Sequence, residues 1–519
     1  MQSQCYIPHV LIIGYAMTLG FFEVAAGLVV LGLGIYYYFT SNMDFWSSRG
    51  VKGPKPVLLF GTTRDLVFGR MSIAQHTTQM YETFQDEPLV GLFTNRKPIL
   101  MVRDPELIKD VLIKDFPVFS YRGLPIASKA EPLSQHLFLL EPKRWRPLRQ
   151  KLSPTFTSGK LKDMFYLLRE CAEHLGSFLE DFVEKNPVIE CRELAGKFTT
   201  DVIGVCAFGL NMNAIAEDDS KFRKIARKPF DSSTLSLMKN YLRFAAPWLM
   251  DLLSPIFYDR ELNDFFIGTI SQTMEYRKKS NVKRNDFIDL LMAIKDDPSK
   301  LNDIELTDTF LAAQAFVFFI AGFETSSSTI SHTLYELAQN QPIQDKLREE
   351  IVEGLKSHNG ELTYESVKSM KYLHKVFCET LRKYPPLSVL QRCSLEPYTF
   401  AGTKVTIPEN TLLWIPAHAI QHDPENYPEP EKFDPDRFDE ENVKHRHPSL
   451  YLPFGDGPRN CIGARFGIYQ TKVGLIQILK SYKVEVCAET CIPYMVDPKK
   501  FLLTPLDGIK LKFRKVVNK

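Results

Sequence analysis

A single cysteine among glycines is the first point in this chain where residue types and spacing could do chemistry. The stretch Phe454-Gly455-Asp456-Gly457-Pro458-Arg459-Asn460-Cys461-Ile462-Gly463 sets one thiol in a tight turn, and the pattern after it predicts a helix over 464–482. Glycine lets the backbone approach a bulky group closely and take φ values closed to other residues. A thiol at a helix start faces the positive end of the dipole, which favours its ionised form. The expectation is a stabilised thiolate, a soft metal ligand, in a rigid loop.

A second chemically able pair is Glu324 and Thr325, within Ala321-Gly322-Phe323-Glu324-Thr325. A threonine hydroxyl both donates and accepts, and beside a carboxylate it suits proton delivery into an apolar site. The spacing Glu379-x-x-Arg382 puts a carboxylate and a guanidinium on one helix face. Downstream lies Phe433-Asp434-Pro435-Asp436-Arg437-Phe438, and upstream Trp145-x-x-x-Arg149 places an indole and a cation one helical turn apart.

In this order the motifs resemble those of the cytochrome P-450 superfamily, the haem-thiolate monooxygenases. The cysteine stretch is similar to the family's haem-binding signature F-G-x-G-x-R-x-C-x-G, matching at Phe454, Gly455, Gly457, Arg459, Cys461 and Gly463. The resemblance covers essentially the whole chain after its first sixty residues. It implies haem b as cofactor with Cys461 as the iron ligand, and Phe454 in the loop that holds it. Arg459, Trp145, Arg149 and Arg392 are then expected at the haem propionates, with Arg122 a further candidate. Thr325 with Glu324 would deliver protons for oxygen activation, and a local weakness at Gly322 would open the helix beside bound dioxygen. Glu379, Arg382 and Arg437 would form a buried triad that fixes the cysteine loop, a structural role. The wording of residues 137–149 and 434–438 looks most like microsomal insect enzymes that handle foreign compounds. That implies small apolar substrates such as plant allelochemicals or insecticides. A haem-thiolate isomerase or dehydratase is the competing enzyme class, and the intact Ala321-Gly322-x-Glu324-Thr325 set argues against it; a non-catalytic haem or hydrophobic-ligand carrier would have no use for those residues.

These residues need elements to position them. Residues 307–340 contain no proline, and Pro342 follows, so one long helix is expected. Its stretch 310–323 is apolar on nearly every side, which marks burial within protein; at 14 residues it is too short to cross a bilayer. Phe165, Leu168, Ala172, Leu175, Leu179 and Phe182 recur at helical steps until Asn186-Pro187. Residues 89–93 and 99–102 read as a hairpin around Thr94-Asn95-Arg96, and Asp104-Pro105 opens a helix through Lys114. The fold class expected is mainly α with a minor β part, the cytochrome P-450 fold, with a single N-terminal transmembrane helix. Residues 316, 320 and 321, 387–390 and 502–504 are candidate pocket walls, with 120–135 as a cap over them.

Composition sets the outer bounds. Among 519 residues, 44% are hydrophobic and 24% charged, an ordinary globular balance. A net charge of +2 gives no reason to expect a nucleic-acid partner. Nine cysteines without regular spacing make no disulfide framework. Residues 10–39 are almost wholly apolar apart from Glu23, and the first cations are Arg49, Lys52 and Lys55. By the positive-inside rule this predicts one membrane anchor with the bulk of the chain cytoplasmic. The expected organisation is a membrane anchor over 1–48, a basic proline-rich hinge over 49–60 and the haem-thiolate catalytic domain over 61–519, on the cytoplasmic face of the endoplasmic reticulum. No G-x-G-x-x-G fingerprint appears in a strand–turn–helix setting, so the chain cannot take hydride from NADPH itself. Electrons are expected from a separate NADPH-dependent flavoprotein reductase, with cytochrome b5 as a second donor, docking on Lys143, Arg144, Arg146, Lys151, Lys444 and Arg446.

Overall fold

The computed structural model describes residues 9–216, 221–230, 233–284, 286–297, 301 and 304–516. The N-terminal helix, His9–Thr40, contains an apolar stretch, Phe22–Thr40, that is long enough to cross a membrane and is not buried in the protein. Beyond it the chain does not swing free. Trp46 is buried and its indole N–H donates to the Leu92 carbonyl, while the Gly91 N–H donates to the Lys52 carbonyl. Arg96 lies over the Tyr38 ring, and the Asn42 amide donates to the Arg96 carbonyl.

Helix dominates the rest, with the β structure in small sheets. Leu89–Thr94 pairs antiparallel with Lys97–Val102, which pairs parallel with Leu412–Ile415; that strand pairs antiparallel with Leu390–Cys393. The first turn is tighter than the sequence suggests. Thr94 pairs directly with Lys97, leaving only Asn95 and Arg96 between, with Asn95 at φ 55°. Asp104 caps the next helix by accepting from the Leu107 N–H. That helix is α only over Pro105–Lys109 and widens to π over Asp110–Lys114.

The central helix is Asp308–Gln339, with the Thr307 side chain accepting from the Phe310 N–H at its start. It too is apolar and long enough to span a bilayer, but most of it is buried inside the protein. Its first half packs in one apolar cluster with Phe266, Phe287 and Leu140. Its second half belongs to another, with Phe165, Leu168 and Leu175 of the helix Phe165–Lys185. In that last helix Val183 takes the buried position expected of Phe182, which is half-exposed. The helix after the cysteine is shorter than expected: it runs Ala464–Leu479, and Tyr482 opens the strand Tyr482–Glu485.

Candidate active site

Cys461 lies three residues before the first residue of Ala464–Leu479. Its backbone N–H donates to the Phe454 carbonyl at 2.9 Å, closing the loop. The loop turns on Gly455 and Gly457, at φ 67° and 70°. At Gly457 a Cβ would stand 1.9 Å from the Leu112 carbonyl oxygen, so only glycine fits there on both counts. Phe454 stacks over Phe377, with ring centres 6.4 Å apart.

The thiol is accessible to water yet surrounded by protein on most sides, which places it on the wall of an internal recess. Burial pushes its pKa up; the Gly463 N–H, Arg149 and Arg122 pull the other way and do not prevail. This corrects the expectation from helix position alone: the cost of desolvating a thiolate exceeds what one helix end returns. Residues 461–469 are exposed or half-buried, whereas 470–479 are buried.

The central helix packs against the helix that follows the cysteine. Ala321 is exposed and Thr325, one turn on, is half-buried, although buried residues lie on either side of them along the helix. The two helices meet where Gln470 donates to the Gly322 carbonyl at 3.2 Å and Gly467 comes up against Ser326. The helix is unbroken through Gly322. The glycine there serves packing instead: a Cβ would stand 2.3 Å from Cδ1 of Ile203, whose side chain would have to move. Three successive carbonyls nonetheless accept from side chains: Ala321 from the Thr325 hydroxyl (2.7 Å), Gly322 from Gln470 and Phe323 from Thr199 (2.9 Å).

Glu324 points elsewhere. Its carboxylate is buried and ion-paired with Arg192 on the helix Cys191–Ile203, and the two helices pack closely along this stretch. No motif announces Arg192, the partner that holds Glu324. It stands 132 positions before Glu324 in sequence, in an unremarkable Glu190-Cys191-Arg192-Glu193 run.

Arginines gather beside the cysteine loop. Arg459 is buried, lies over the Trp145 ring at 4.2 Å and donates from Nη2 to the Leu140 carbonyl. Trp145 itself is buried, on the helix Pro142–Leu152. Arg122 donates to the Phe138 and Arg459 carbonyls. Arg149 donates to the Asn460 side chain at 3.0 Å, and Arg392 to the Gln391 carbonyl. Burial, reinforced by Arg392, lowers the Arg459 pKa to about 9; burial lowers Arg392 to about 10 and takes Arg122 well down. Nε and Nη1 of Arg459 and Nε of Arg392 are buried with no protein partner. Burying several like charges with unpaired N–H groups is costly unless an anion joins them. The two propionates of haem b are such anions, and a thiol is the kind of group that can ligate its iron. The residues present fit the group.

The triad assembles as well. Arg382 bonds Glu379 through Nε at 2.7 Å and Nη2 at 2.9 Å, both side chains wholly buried. Arg437 Nε lies 3.5 Å from Glu379, and its Nη2 donates to the Pro428 and Glu429 carbonyls. Of the six cations expected to dock a partner, Arg144 is held by Glu141, and Arg446 lies over Tyr427 and Phe438, donating to the Arg437 carbonyl. Arg146 and Lys444 are exposed.

Compared with known proteins, residues 51–513 match the family model described as Cytochrome P450. The chain is 41% identical over 487 residues to "Probable cytochrome P450 6a13" of Drosophila melanogaster, covering 93% of this chain and 97% of that one. It is 38% identical over 509 residues to "Cytochrome P450 6A1" of Musca domestica (97% and 100%), and 37% identical over 497 residues to "Cytochrome P450 6j1" of Blattella germanica (95% and 98%).

Proposed function

The chain belongs to the cytochrome P450 family, and from that premise we propose that it inserts one oxygen atom of O2 into small apolar molecules, plant allelochemicals or insecticides among them. The overall reaction takes substrate, O2, NADPH and a proton to hydroxylated substrate, water and NADP+; epoxidation of a double bond is the equivalent step. The enzyme is a monooxygenase whose cofactor is haem b, and the bound group supplies the redox-active iron at which dioxygen is reduced.

The chain's own residues have four tasks in this reading. Cys461 ligates the iron from its loop, which Gly457 and the Phe454 carbonyl hold in one conformation. Arg459, Arg392, Arg149, Arg122 and Trp145 hold the propionate edge. Thr325 would take part with a hydroxyl that donates to the Ala321 carbonyl and keeps lone pairs free to accept a proton. Glu324, once its pairing with Arg192 loosens, would take up a proton from solvent and pass it on towards Thr325. Apolar walls at Ala321 and Phe316 exclude bulk water from this exchange. Electrons come from a separate NADPH-dependent flavoprotein reductase, and from cytochrome b5 as a second donor. The stretch Phe22–Thr40 anchors the enzyme in the endoplasmic reticulum with residues 61–519, its catalytic domain, on the cytoplasmic side; residues 49–60 join the two.

One observation carries the proposal: a recess-facing thiol beside buried arginines with unpartnered N–H groups. In the reduced carbon-monoxide spectrum the protein is expected to show the red-shifted Soret band of a thiolate-bound iron. Cys461→His is expected to abolish that band while haem stays bound. Persistence of the band in the variant would refute the ligand assignment.

A further inference from the structure

Segment 135–140, over the recess, is irregular and buried, so its backbone polar groups need partners that a neighbouring strand would otherwise give. Turn bonds supply some, with the Leu139 and Leu140 N–H groups both donating to the His136 carbonyl, and one side chain of the central helix supplies two more. Gln314 is fully buried in the most apolar part of the central helix. Its Oε1 accepts from the Leu137 N–H at 2.9 Å, and its Nε2 donates to the Gln135 carbonyl at 2.8 Å and to the Phe310 carbonyl at 2.9 Å. One N–H donor and two carbonyl acceptors leave only one orientation for the amide. It bonds the groups flanking His136, the pattern one residue of a parallel strand would make.

The far end of the same segment is held by the arginine cluster, Phe138 through Arg122 and Leu140 through Arg459. Between these ties Leu137 and Leu140 pack with Phe310 and Phe316. Gln314 lies eleven residues before Thr325, which at 100° per residue is three turns plus about 20°, so both are on one helix face. We infer that Gln314 is a positioning residue that sets the height and register of segment 135–140 over the recess, and thereby which apolar substrates fit and where they are oxidised. This rests on the reading of the recess as the oxygenation site.

The test uses the full-length holoenzyme with a reductase. Gln314→Leu removes both bonds to the segment at nearly constant volume. At unchanged haem content and unchanged carbon-monoxide band, KM for 7-ethoxycoumarin is expected to rise about tenfold, with kcat moving less than threefold, a shift equal to about 1.4 kcal/mol of uniform binding. The ratio of alcohols formed from n-octane is expected to shift in parallel. Gln314→Glu keeps the shape and, once protonated, regains one donor for the Gln135 carbonyl and the acceptor for the Leu137 N–H, giving up only the bond within its own helix to Phe310, so its KM is expected to approach the parent's on acidification. A holoenzyme with parental KM and alcohol ratio in both variants would overturn the inference. So would loss that merely tracks haem content, or a Gln314→Glu KM that ignores pH. Absence of the carbon-monoxide band in the parent enzyme would instead sink the oxygenation reading.

Discussion

At the level of single residues, the two partners of the expected proton delivery are differently placed. Thr325 faces the recess with its hydroxyl tied to its own helix, while Glu324 is turned into the interior against Arg192. Threonine back-bonding of this kind is common in helices, but here the bond is exposed rather than sealed in the core. Thr325→Ala is expected to leave haem bound and substrate binding near parental while diverting reducing equivalents to hydrogen peroxide. Measuring NADPH consumed against product and peroxide formed decides it, and unchanged coupling would remove Thr325 from the relay. The Cys461 thiol teaches a related point. Helix position argues for an easily ionised sulfur, and burial overrules it.

Among elements, the cysteine loop depends on charge buried far from it in sequence. Glu379 and Arg382 lie one turn apart on the helix Lys371–Lys383, and the Arg382 guanidinium reaches on to the Gln421 and Pro430 carbonyls. Glu379 also accepts from the Asp434 N–H. The ion pair therefore fastens the segment from 421 to 437 in which Arg437 sits, just ahead of the loop. Removing one member leaves the other buried and unpaired, at about 3–5 kcal/mol. Arg382→Met is expected to lower thermal stability by that order and to yield protein largely without haem. The sharper comparison is Glu379→Gln with Arg382→Met: a double variant that retains more haem than either single one is the expected outcome, because neither charge is then stranded. The central helix shows the same dependence in packing, since Gly322 lets it press against Ile203, a contact that outweighs the poor helix propensity of glycine.

For the whole molecule, burial of neutral imidazoles sets the response to acid. Burial lowers His76, His332, His374 and His422 to about 4, and His136 to about 3. Each binds a proton more readily unfolded, near 6.5, than folded. Between those values the unfolded chain holds more protons, so stability falls as pH falls. Denaturation midpoints are expected to be flat above about pH 7 and to drop below about pH 6.5, by up to about 1.4 kcal/mol per unit for each such histidine. Urea titrations across that range measure it, and a midpoint independent of pH down to 4.5 would show these rings charged in the fold. At this scale the N-terminal helix also joins the body: Tyr38, Asn42 and Trp46 are in contact with the first hairpin, so the orientation of that helix and the rest of the chain is coupled through packed residues.

Some of this was written locally and was legible. The long helix ended where caps and prolines said, because a missing N–H or a capping hydroxyl acts within one turn. Spacing also placed Glu379 beside Arg382, and Cys461 in a glycine turn before a helix, since both relations span a few residues. What tertiary structure alone decided are the relations between distant segments: Arg192 on Glu324, Gln314 under segment 135–140, Ile203 against Gly322, Leu112 against Gly457. None has a sequence period, because such contacts are fixed by how helices cross and which backbone groups are left without partners, and those are properties of the packed chain rather than of any stretch of it.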